Sequence, residues 1–432
     1  MAFSAGARAC AAPSLLLLLL ALLAATPAAT VAWSQLGRTM SRERVTAISM
    51  DFGPDGFPVF AYGWNDTDAG GNRGTRIPVM AWNGEDWIEV YHRTSQFPQG
   101  YHEFDLKARN GGYYLGLKIH YRYGSVLNSE FEWRGSYAFH NQLFDYEIEE
   151  NGDMMMLWIS SQATGGGYPG TNNDLSVIRY LERGWSGYPA GPDFGEQLVI
   201  DRQEPNATST VSSIRIKSVG KDSGGHPKYL SAWVHGEEMH LAQGSIRDGF
   251  TRLGLATEAA ETVNVAVHGG QACAAYHPAR GGGGGGEDQH EVVVECSACT
   301  VEGCDAWRSL GIAIESAAVV ERLAVEVVIT DDGKVVVAGR KVGSPNTLAV
   351  RWREIAPAAA AAAATSANAT GSSGSAAVSV AAAADDEEGW TEVDLSVDQT
   401  MTHFELGASG NAVYAAISEN EGEGIRVMQL VL

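Results

Sequence analysis

A short phrase recurs along the chain: an aromatic residue, two further residues, and then Leu-Gly or Val. Its copies are Trp33-Ser-Gln-Leu-Gly37, Trp87-Ile-Glu-Val90, Phe250-Thr-Arg-Leu-Gly254, Trp307-Arg-Ser-Leu-Gly311 and Trp390-Thr-Glu-Val-Asp394. Recurrence at roughly 50-residue intervals is typical of repeat architectures. The first copy precedes every other strand pattern, and the strands at the C-terminus end without a copy. This offset predicts a ring in which the N-terminal strand completes the last sheet.

Between the phrases, short apolar or alternating runs are separated by turn residues, which predicts antiparallel strands. The turns are Asp55-Gly56, Asn110-Gly111, Asn151-Gly152, Gly269-Gly270, Asp332-Gly333 and Ser409-Gly410. Asn-Gly and Asp-Gly supply the positive φ angles of tight hairpins. Each unit is predicted to have three such strands plus an outermost strand that carries the phrase; in the second unit, Leu127–Trp133 is the predicted third strand.

Short, evenly spaced strands with a periodic glycine and aromatic motif are the sequence pattern of a β-propeller. We therefore predict an all-β fold: a single β-propeller of seven four-stranded blades, closed by an N-terminal strand that completes the C-terminal blade. The repeat resembles secreted β-propeller proteins at the level of architecture, and no specific family motif accompanies it. Degenerate fourth and fifth phrases leave a count of six to eight blades open.

The predicted domain organisation is a signal peptide over residues 1–32 followed by the propeller over residues 33–432. Arg8, the apolar run Leu15–Leu23 and the small residues up to Ala32 have the order of a secretory signal; a retained anchor is the alternative. Residues 356–388 form a low-complexity Ala/Ser/Gly insert within blade 6, and Gly281–Gly286 is a second predicted spacer.

The charge and the sequons suit an extracellular or endomembrane-lumen protein. The net charge of −22 argues against nucleic acid or an anionic membrane surface as a partner. Glycosylation is predicted at Asn65, Asn206 and Asn368, each of which begins an Asn-x-Thr triplet.

Four cysteines remain after the signal peptide, and they cluster in one unit. An even number in a secreted chain predicts two disulfides, for which we prefer Cys273–Cys296 and Cys299–Cys304 among three connectivities. A zinc site built from Cys296, Cys299 and Cys304 with either Cys273 or His290 is the alternative.

Loops that follow strands supply the predicted ligand-binding residues, because propellers usually bind through one loop face. Aromatic faces, amides and a carboxylate suit the C–H faces and hydroxyl pairs of sugars. The residues are Trp64, Tyr121, Arg122, Tyr123, Tyr168, Asn172, Asn173 and Asp174. An ordinary glycine-rich turn is the alternative for the loop around Tyr168.

Calcium is the one cofactor that the sequence suggests, and none is required. Asp66 and Asp68 place carboxylates at alternating positions of a loop, as calcium loops do. The bidentate glutamate of such loops is absent, because Ile77 occupies that position.

Catalytic motifs do not stand out. The aspartate box of sialidase-type propellers is missing, and the pairs Glu130/Glu132 and Glu147/Glu149 are interpreted as solvated strand faces. Four histidines of the first two units offer a candidate base for a polysaccharide lyase. They are His92, His102, His120 and His140.

Two main functional hypotheses follow from this sequence, beside a third of a structural ectodomain whose acidic surface and Ala-rich insert serve matrix assembly. The first is a non-catalytic, extracellular binding module for glycans or protein surfaces. The alternative is a carbohydrate-active enzyme, a polysaccharide lyase or glycoside hydrolase, with its site near the propeller axis. A deep axial pocket lined by convergent charged groups would favour the enzyme, whereas shallow repeated aromatic clefts would favour the binding module.

Overall fold

The structure, a computed structural model, describes residues 31–40, 45–67, 73–95, 101–119, 123–128, 133–134, 144–159, 174–180, 197–201, 211–254, 259–279, 290–317, 325–355, 389–419 and 424–432. All regular elements in these ranges are β-strands, which confirms the all-β prediction. Within the same ranges, no helix is long and apolar enough to cross a membrane.

The described strands form seven antiparallel sheets, here called blades 1 to 7. Blade 1 comprises β2 (Val45–Phe52), β3 (Pro58–Thr67), β4 (Arg73–Trp82) and β5 (Trp87–Ser95). Blade 2 comprises β6 (Tyr101–Arg109), β7 (Gly112–Ile119), β8 (Tyr123–Asn128) and β9 (Trp133–Arg134). Blade 3 comprises β10 (Phe144–Ile148), β11 (Met154–Ile159), β12 (Leu175–Tyr180) and β13 (Gln197–Asp201). Blade 4 comprises β14 (Val211–Lys221), β15 (Pro227–His235), β16 (Glu238–Ser245) and β17 (Gly249–Leu253).

The last three blades vary this plan at their outer edges. Blade 5 comprises β18 (Ala260–His268), β19 (Gln271–Pro278), β20 (His290–Thr300), β21 (Gly303–Cys304) and β22 (Arg308–Ala317). Blade 6 comprises β23 (Glu326–Ile329), β24 (Lys334–Arg340), β25 (Thr347–Glu354), β26 (Thr391–Glu392) and β27 (Leu395–Ser396). Blade 7 comprises β28 (Met401–Ser409), β29 (Ala412–Glu419), β30 (Ile425–Val431) and β1 (Ser34–Gln35).

The two ends of the propeller lie in one sheet, as predicted. Ser34 pairs with Gln429 in an antiparallel bridge between β1 and β30. The Met40 amide donates to the Ile425 carbonyl at 2.9 Å, and the Ile425 amide donates back to Met40 at 2.6 Å. Closure of the ring through its N-terminal strand is therefore confirmed.

The first strand of each blade contacts the first strand of the next, which defines the ring and its axis. Contacts join β2 to β6, β6 to β10, β10 to β14, β14 to β18, β18 to β23, β23 to β28 and β28 back to β2. The seven inner strands consequently surround the axis.

The core lies between neighbouring blades, because both faces of the second strand of a blade are covered. On β24, Val335 and Val337 pack into the apolar cluster shared with blade 5. Val336 and Ala338 point the other way and join the cluster shared with blade 7. The period of two along a strand sends alternate side chains to opposite faces, so a strand covered on both sides reads as a continuous apolar run.

A two-residue turn explains the Asn-Gly pair that links β6 to β7. Asn110 has a φ of 55° and Gly111 a φ of 76°. Both central residues of a type I′ turn need positive φ, and this turn matches the twist of the strands that it joins.

The recurring phrase lies on or beside the outermost strand of blades 1, 4, 5, 6 and 7. The outer strands of blades 2 and 3, β9 and β13, lack it. The predicted third strand of blade 2 was wrong, since β8 ends at Asn128 and Trp133 begins the separate outer strand β9.

Both predicted disulfides form in blade 5. Cys273 lies directly opposite Cys296 across β19 and β20, and Cys299 lies opposite Cys304 across β20 and β21. All four sulfur atoms are bonded in pairs, so the zinc alternative for these cysteines was wrong. Structural disulfides are typical of an oxidising compartment.

Several predictions fall outside the described residues. These are the signal peptide, the insert 356–388 between β25 and β26, the spacer Gly281–Gly286, and the sequon positions Asn206 and Asn368. Asn65 lies on β3, where only the backbone is described.

Candidate functional site

A cavity of about 500 Å³ lies on the axis of the ring. Residues of all seven inner strands line it, namely β2, β6, β10, β14, β18, β23 and β28. The lining includes consecutive positions of several inner strands, for example residues 47–52 of β2. A single concave site of this size, with convergent polar groups, is the usual place for a small-molecule or substrate site.

Charged side chains dominate the lining of this axial cavity. The carboxylic acids are Asp51, Asp105, Asp145, Glu147, Glu326 and Glu405. The permanent cations are Lys107, Arg109, Arg215 and Lys217. Among the described lining residues, six acids therefore face four cations, an excess of two acids.

Glu147 of β10 lies at the centre of an ion-pair network and is only 5 % exposed. Its carboxylate oxygens lie 3.9 Å from Lys107 Nζ, 3.7 Å from Lys217 Nζ and 3.8 Å from Arg109 Nη2. A second carboxylate, Asp105, lies 3.2 Å from Lys107 Nζ. Burial acts to lower the pKa of Lys107, but Asp105 and Glu147 raise it well above its ordinary value. The ammonium group therefore stays charged.

Asp145, two residues before Glu147, fastens blade 3 to blade 4. One of its oxygens accepts the Ile216 amide at 2.7 Å, and the other accepts the Tyr146 amide at 2.9 Å. Burial alone would raise the pKa of Asp145, but Lys107, Lys217 and Arg215 lower it, and the net pKa lies below its usual value. Asp145 is consequently an ionised, fully occupied carboxylate.

Glu326 of β23 has the opposite character. It accepts a 2.8 Å hydrogen bond from the Asn264 side-chain amide. Burial raises the pKa of Glu326 to about 7, against the lowering influence of Arg215 and Lys217. This carboxyl group therefore holds its proton over most of the acidic range.

Glu405 of β28 stands on the neighbouring blade and resembles Glu326. Burial raises the pKa of Glu405 well above its usual range, and the nearby charges of Glu326 and Asp105 raise it further. Three carboxyl groups, from blades 2, 6 and 7, therefore share one electrostatic environment in the cavity. Proximity of like charges is the standard physical reason for one group of such a set to stay protonated.

Asp105 is the member of this set that forms an ion pair with a lysine. Lys107 lies beside its Oδ2, and the Ser49 hydroxyl lies 3.4 Å from its Oδ1. Oδ2 is buried and accepts no hydrogen bond, and its ion-pair partner among the described residues is Lys107. The site thus combines protonated and ionised carboxyl groups within one enclosure.

The sequence raised a site near the axis but none of these lining residues was predicted, although a signal for them exists. Charged residues occupy every second position of two inner strands, at Asp105-x-Lys107-x-Arg109 and at Arg215-x-Lys217. The interpretation of Glu147 and Glu149 as a solvated face was wrong. Ring closure buries both, and Glu149 accepts a 2.7 Å hydrogen bond from the Tyr229 hydroxyl.

The predicted loop residues are only partly within the described residues. Trp64 is half-buried on β3 and stacks on Tyr62 with ring centroids 5.4 Å apart, so it belongs to the apolar core near blade 7. Asp174 is buried just before β12. Tyr123 lies on β8 with only its backbone described. The remaining members lie outside the described residues: Tyr121, Arg122, Tyr168, Asn172 and Asn173.

The calcium and histidine predictions are equally limited. Asp66 lies on β3, where only the backbone is described, and Asp68 lies outside the described residues. Of the four histidines, only His92 has a described side chain, which is 70 % exposed on the outer strand β5. His92 therefore does not line the axial cavity.

Comparison with known proteins identifies no family. No family model matches the sequence, and no curated protein matches it. Among solved structures, an α-L-arabinanase of Penicillium chrysogenum is similar over 92 % of this chain and 98 % of its own, at 11 % identity and a TM-score of 0.43.

Two further solved structures are similar to the same extent. An α-L-arabinofuranosidase of Fusarium graminearum is similar over 93 % of this chain and 97 % of its own, at 9 % identity and a TM-score of 0.41. The NanB sialidase of Streptococcus pneumoniae is similar over 92 % of this chain and 69 % of its own, also at 9 % identity and a TM-score of 0.41. Similarity this distant assigns neither a family nor an activity.

Proposed function

We propose that this protein is a carbohydrate-active enzyme, a glycoside hydrolase, with its site in the axial cavity. The observation that carries the proposal is the enclosure of carboxyl groups in different environments on the axis: Glu326 and Glu405 with raised pKa values, and Asp105 in an ion pair with Lys107. Of the two hypotheses drawn from the sequence, this arrangement favours the enzyme over the binding module.

Glycoside hydrolysis needs two carboxyl groups in different protonation states. A protonated acid gives its proton to the oxygen of the leaving group, while an ionised carboxylate attacks the sugar or activates water. Environments that push the pKa values of neighbouring carboxyl groups apart are how proteins assign these two roles. The axial cavity supplies such an environment from burial and from neighbouring charges.

We assign the general-acid role to Glu326. Its Oε2 is held by the Asn264 amide, which fixes the orientation of the carboxyl group, and its pKa of about 7 suits proton donation near neutral pH. Asp105 takes the role of the ionised carboxylate. Lys107 keeps it charged and in place from 3.2 Å.

The remaining polar groups of the cavity suit a polyhydroxylated substrate. Amide, hydroxyl and imidazole groups converge on it from Asn264, Ser213 and His403, and the rings of Phe104 and Phe144 add apolar surface. Sugars present both hydroxyl pairs and C–H faces, so a mixed lining of this kind can bind both.

We further propose secretion after signal-peptide removal, glycosylation at the three sequons, and a glycan as the partner. Carboxyl-group catalysis needs no cofactor. Calcium at Asp66 and Asp68 stays a prediction. The two disulfides support an oxidising compartment.

A reducing-end release assay on a panel of neutral and acidic polysaccharides tests the activity. The wild-type protein should release products, and Glu326→Gln and Asp105→Asn should each lower the rate by about 10²–10⁴-fold, the usual contribution of acid–base catalysis. Glu315→Gln, on the exposed face of the outer strand β22, is the matched control and should keep wild-type activity.

Three outcomes would contradict the proposal. Glycan binding without any product would restore the binding-module hypothesis. Products with a new carbon–carbon double bond would assign a lyase. Full activity in folded Glu326→Gln and Asp105→Asn proteins would remove the axial cavity as the site.

A further inference from the structure

A second cluster of polar side chains joins the outer parts of blades 3 and 4, away from the axial cavity. It consists of Asp201, the last residue of β13, and two histidines of the β15–β16 hairpin, His235 and His240. One ligand atom from each lies within 4.8 Å of the other two. These three residues are called the blade 3–4 cluster.

The hairpin geometry brings the two histidines together. In the register of β15 and β16, Trp233 lies opposite His240, and His235 lies opposite Glu238. Residues two apart on a strand share a face, so these four side chains project from the same face of blade 4. The tight turn at Gly236, with a φ of 67°, fixes this register.

Asp201 reaches this face from the neighbouring blade. Its Oδ2 accepts a 2.9 Å hydrogen bond from the Trp233 indole and lies 3.2 Å from His235 Nδ1. Its Oδ1 accepts a 3.2 Å hydrogen bond from Arg252 Nη2. The carboxylate side chain is 10 % exposed, whereas Arg252 is 55 % exposed.

We propose that the blade 3–4 cluster binds a divalent transition-metal ion of the zinc type, through Asp201, His235 and His240. Two imidazoles and one carboxylate are a donor set that Zn²⁺ accepts, with a fourth position left for water or another carboxylate. Glu238 is the candidate for that position. Its Oε2 lies 3.9 Å from His240 Nε2, and its exposed side chain is free to turn.

Neighbouring side chains hold His240 in position. Its Nδ1 lies 3.3 Å from Nη1 of Arg252. The Trp233 ring, 5.3 Å from the His240 ring, covers one side of the site.

The alternative is a hydrogen-bonded clamp between the blades in which Arg252 supplies the only positive charge. The two interpretations differ in the part they give to Arg252. In the metal site, its guanidinium competes with the ion for Asp201 and repels it. In the clamp, Arg252 stabilises Asp201 and His240 by hydrogen bonds.

Isothermal titration of the chelator-treated full-length protein with Zn²⁺ alone decides between them. We expect one equivalent to bind, and both Asp201→Asn and His240→Gln to weaken zinc affinity by at least about tenfold. His268→Gln is the matched control, because His268 also pairs with a carboxylate, Asp331 at 2.9 Å, but in an isolated pair. Its affinity should equal that of the wild type.

Arg252→Ala is the second test, and it changes only an exposed side chain. Removing the competing cation should tighten zinc binding, and Co²⁺ in place of Zn²⁺ should give the visible absorption of a four-coordinate site. Absence of one-to-one binding would overturn the proposal. So would wild-type affinity in folded His240→Gln, or unchanged or weaker binding in Arg252→Ala.

Discussion

Ser34 and Gln429 lie opposite each other in one antiparallel strand pair, although 395 positions separate them in the sequence. The neighbouring Trp33 donates its indole N–H to the Val393 carbonyl of blade 6 at 2.9 Å. The two-residue strand β1 therefore joins the beginning of the propeller to its end, and the preceding Trp33 also contacts blade 6. Its contribution to stability should be large for its length.

Deletion of residues 33–37 is expected to destabilise the ring by on the order of 3 kcal/mol, from the lost packing of Trp33 and the lost backbone hydrogen bonds. Thermal unfolding followed by circular dichroism measures the effect. Deletion of the predicted spacer Gly281–Gly286 is the control and should leave the melting temperature nearly unchanged. An equal response to the two deletions would show that closure by this segment contributes little.

Gly116→Ala should destabilise the protein by about 1–3 kcal/mol, the usual cost of overpacking a full core. A Cβ at this position would overlap Cε1 of the Tyr146 ring, whose hydroxyl accepts a 3.0 Å hydrogen bond from the Gly116 amide. The control is Gly254→Ala, because a Cβ there meets no atom within 4 Å. Denaturant unfolding of the two variants compares them, and equal midpoints would contradict the packing described for Tyr146.

The two disulfides should contribute unequally to stability. In the chain-entropy account, the bridge with a sequence separation of 23 contributes about 3 kcal/mol, and the bridge with a separation of 5 contributes about 2 kcal/mol. Cys273→Ser/Cys296→Ser should therefore lower the unfolding midpoint more than Cys299→Ser/Cys304→Ser. The reverse order, measured in the same denaturant series, would contradict the chain-entropy account for these two disulfides.

Activity should fall as the pH rises through about 7. The proposed general acid, Glu326, is active only while protonated, and its pKa is about 7. The pH profile of kcat/KM on the glycan that is cleaved should therefore have its alkaline limb near this value. The Asn264→Ala variant removes the hydrogen bond to Glu326. If its alkaline limb lies at the same pH as that of the wild type, a different group is the general acid.

Stability should change with pH in the same window, for a related reason. The pKa of Glu326 in the folded protein lies above its ordinary value of 4.5, so the folded state binds more protons than the unfolded state between these values. The stabilisation is complete below about 4.5 and is lost as the pH rises through about 7. Subtracting the pH–stability curve of Glu326→Gln from that of the wild type isolates this contribution. A flat difference would contradict the raised pKa.

Local sequence patterns sufficed for most of the fold. The hairpin at Asn110-Gly111 and the strands around it follow from backbone preferences that act within a few residues. Ring closure was predicted from the position of Trp33 relative to the last strands. The pairing of Cys273 with Cys296 was predicted from the antiparallel register of their strands. Each of these inferences rests on spacing along the chain, which the sequence contains.

The axial cavity could not be predicted in the same way, because its chemistry depends on contacts between distant strands. In the sequence, Asp105 and Lys107 are two ordinary charged residues of one strand. Their environment in the fold depends on Glu147, Lys217 and Glu405, which come from distant strands. Alternation of charge along an inner strand looks the same as a solvated face. Only the closed ring removes the water and creates the shifted pKa values.

The acids and cations around the axis come from six of the seven described blades, from Asp51 near the start of the propeller to Glu405 near its end. A fragment, a nicked chain or a nascent protein that lacks its final blade would carry some of these groups but not their mutual neutralisation. The activity proposed for this cavity would therefore require all of these strands to be in place. Partial assemblies would lack the environment that raises the pKa values of Glu326 and Glu405.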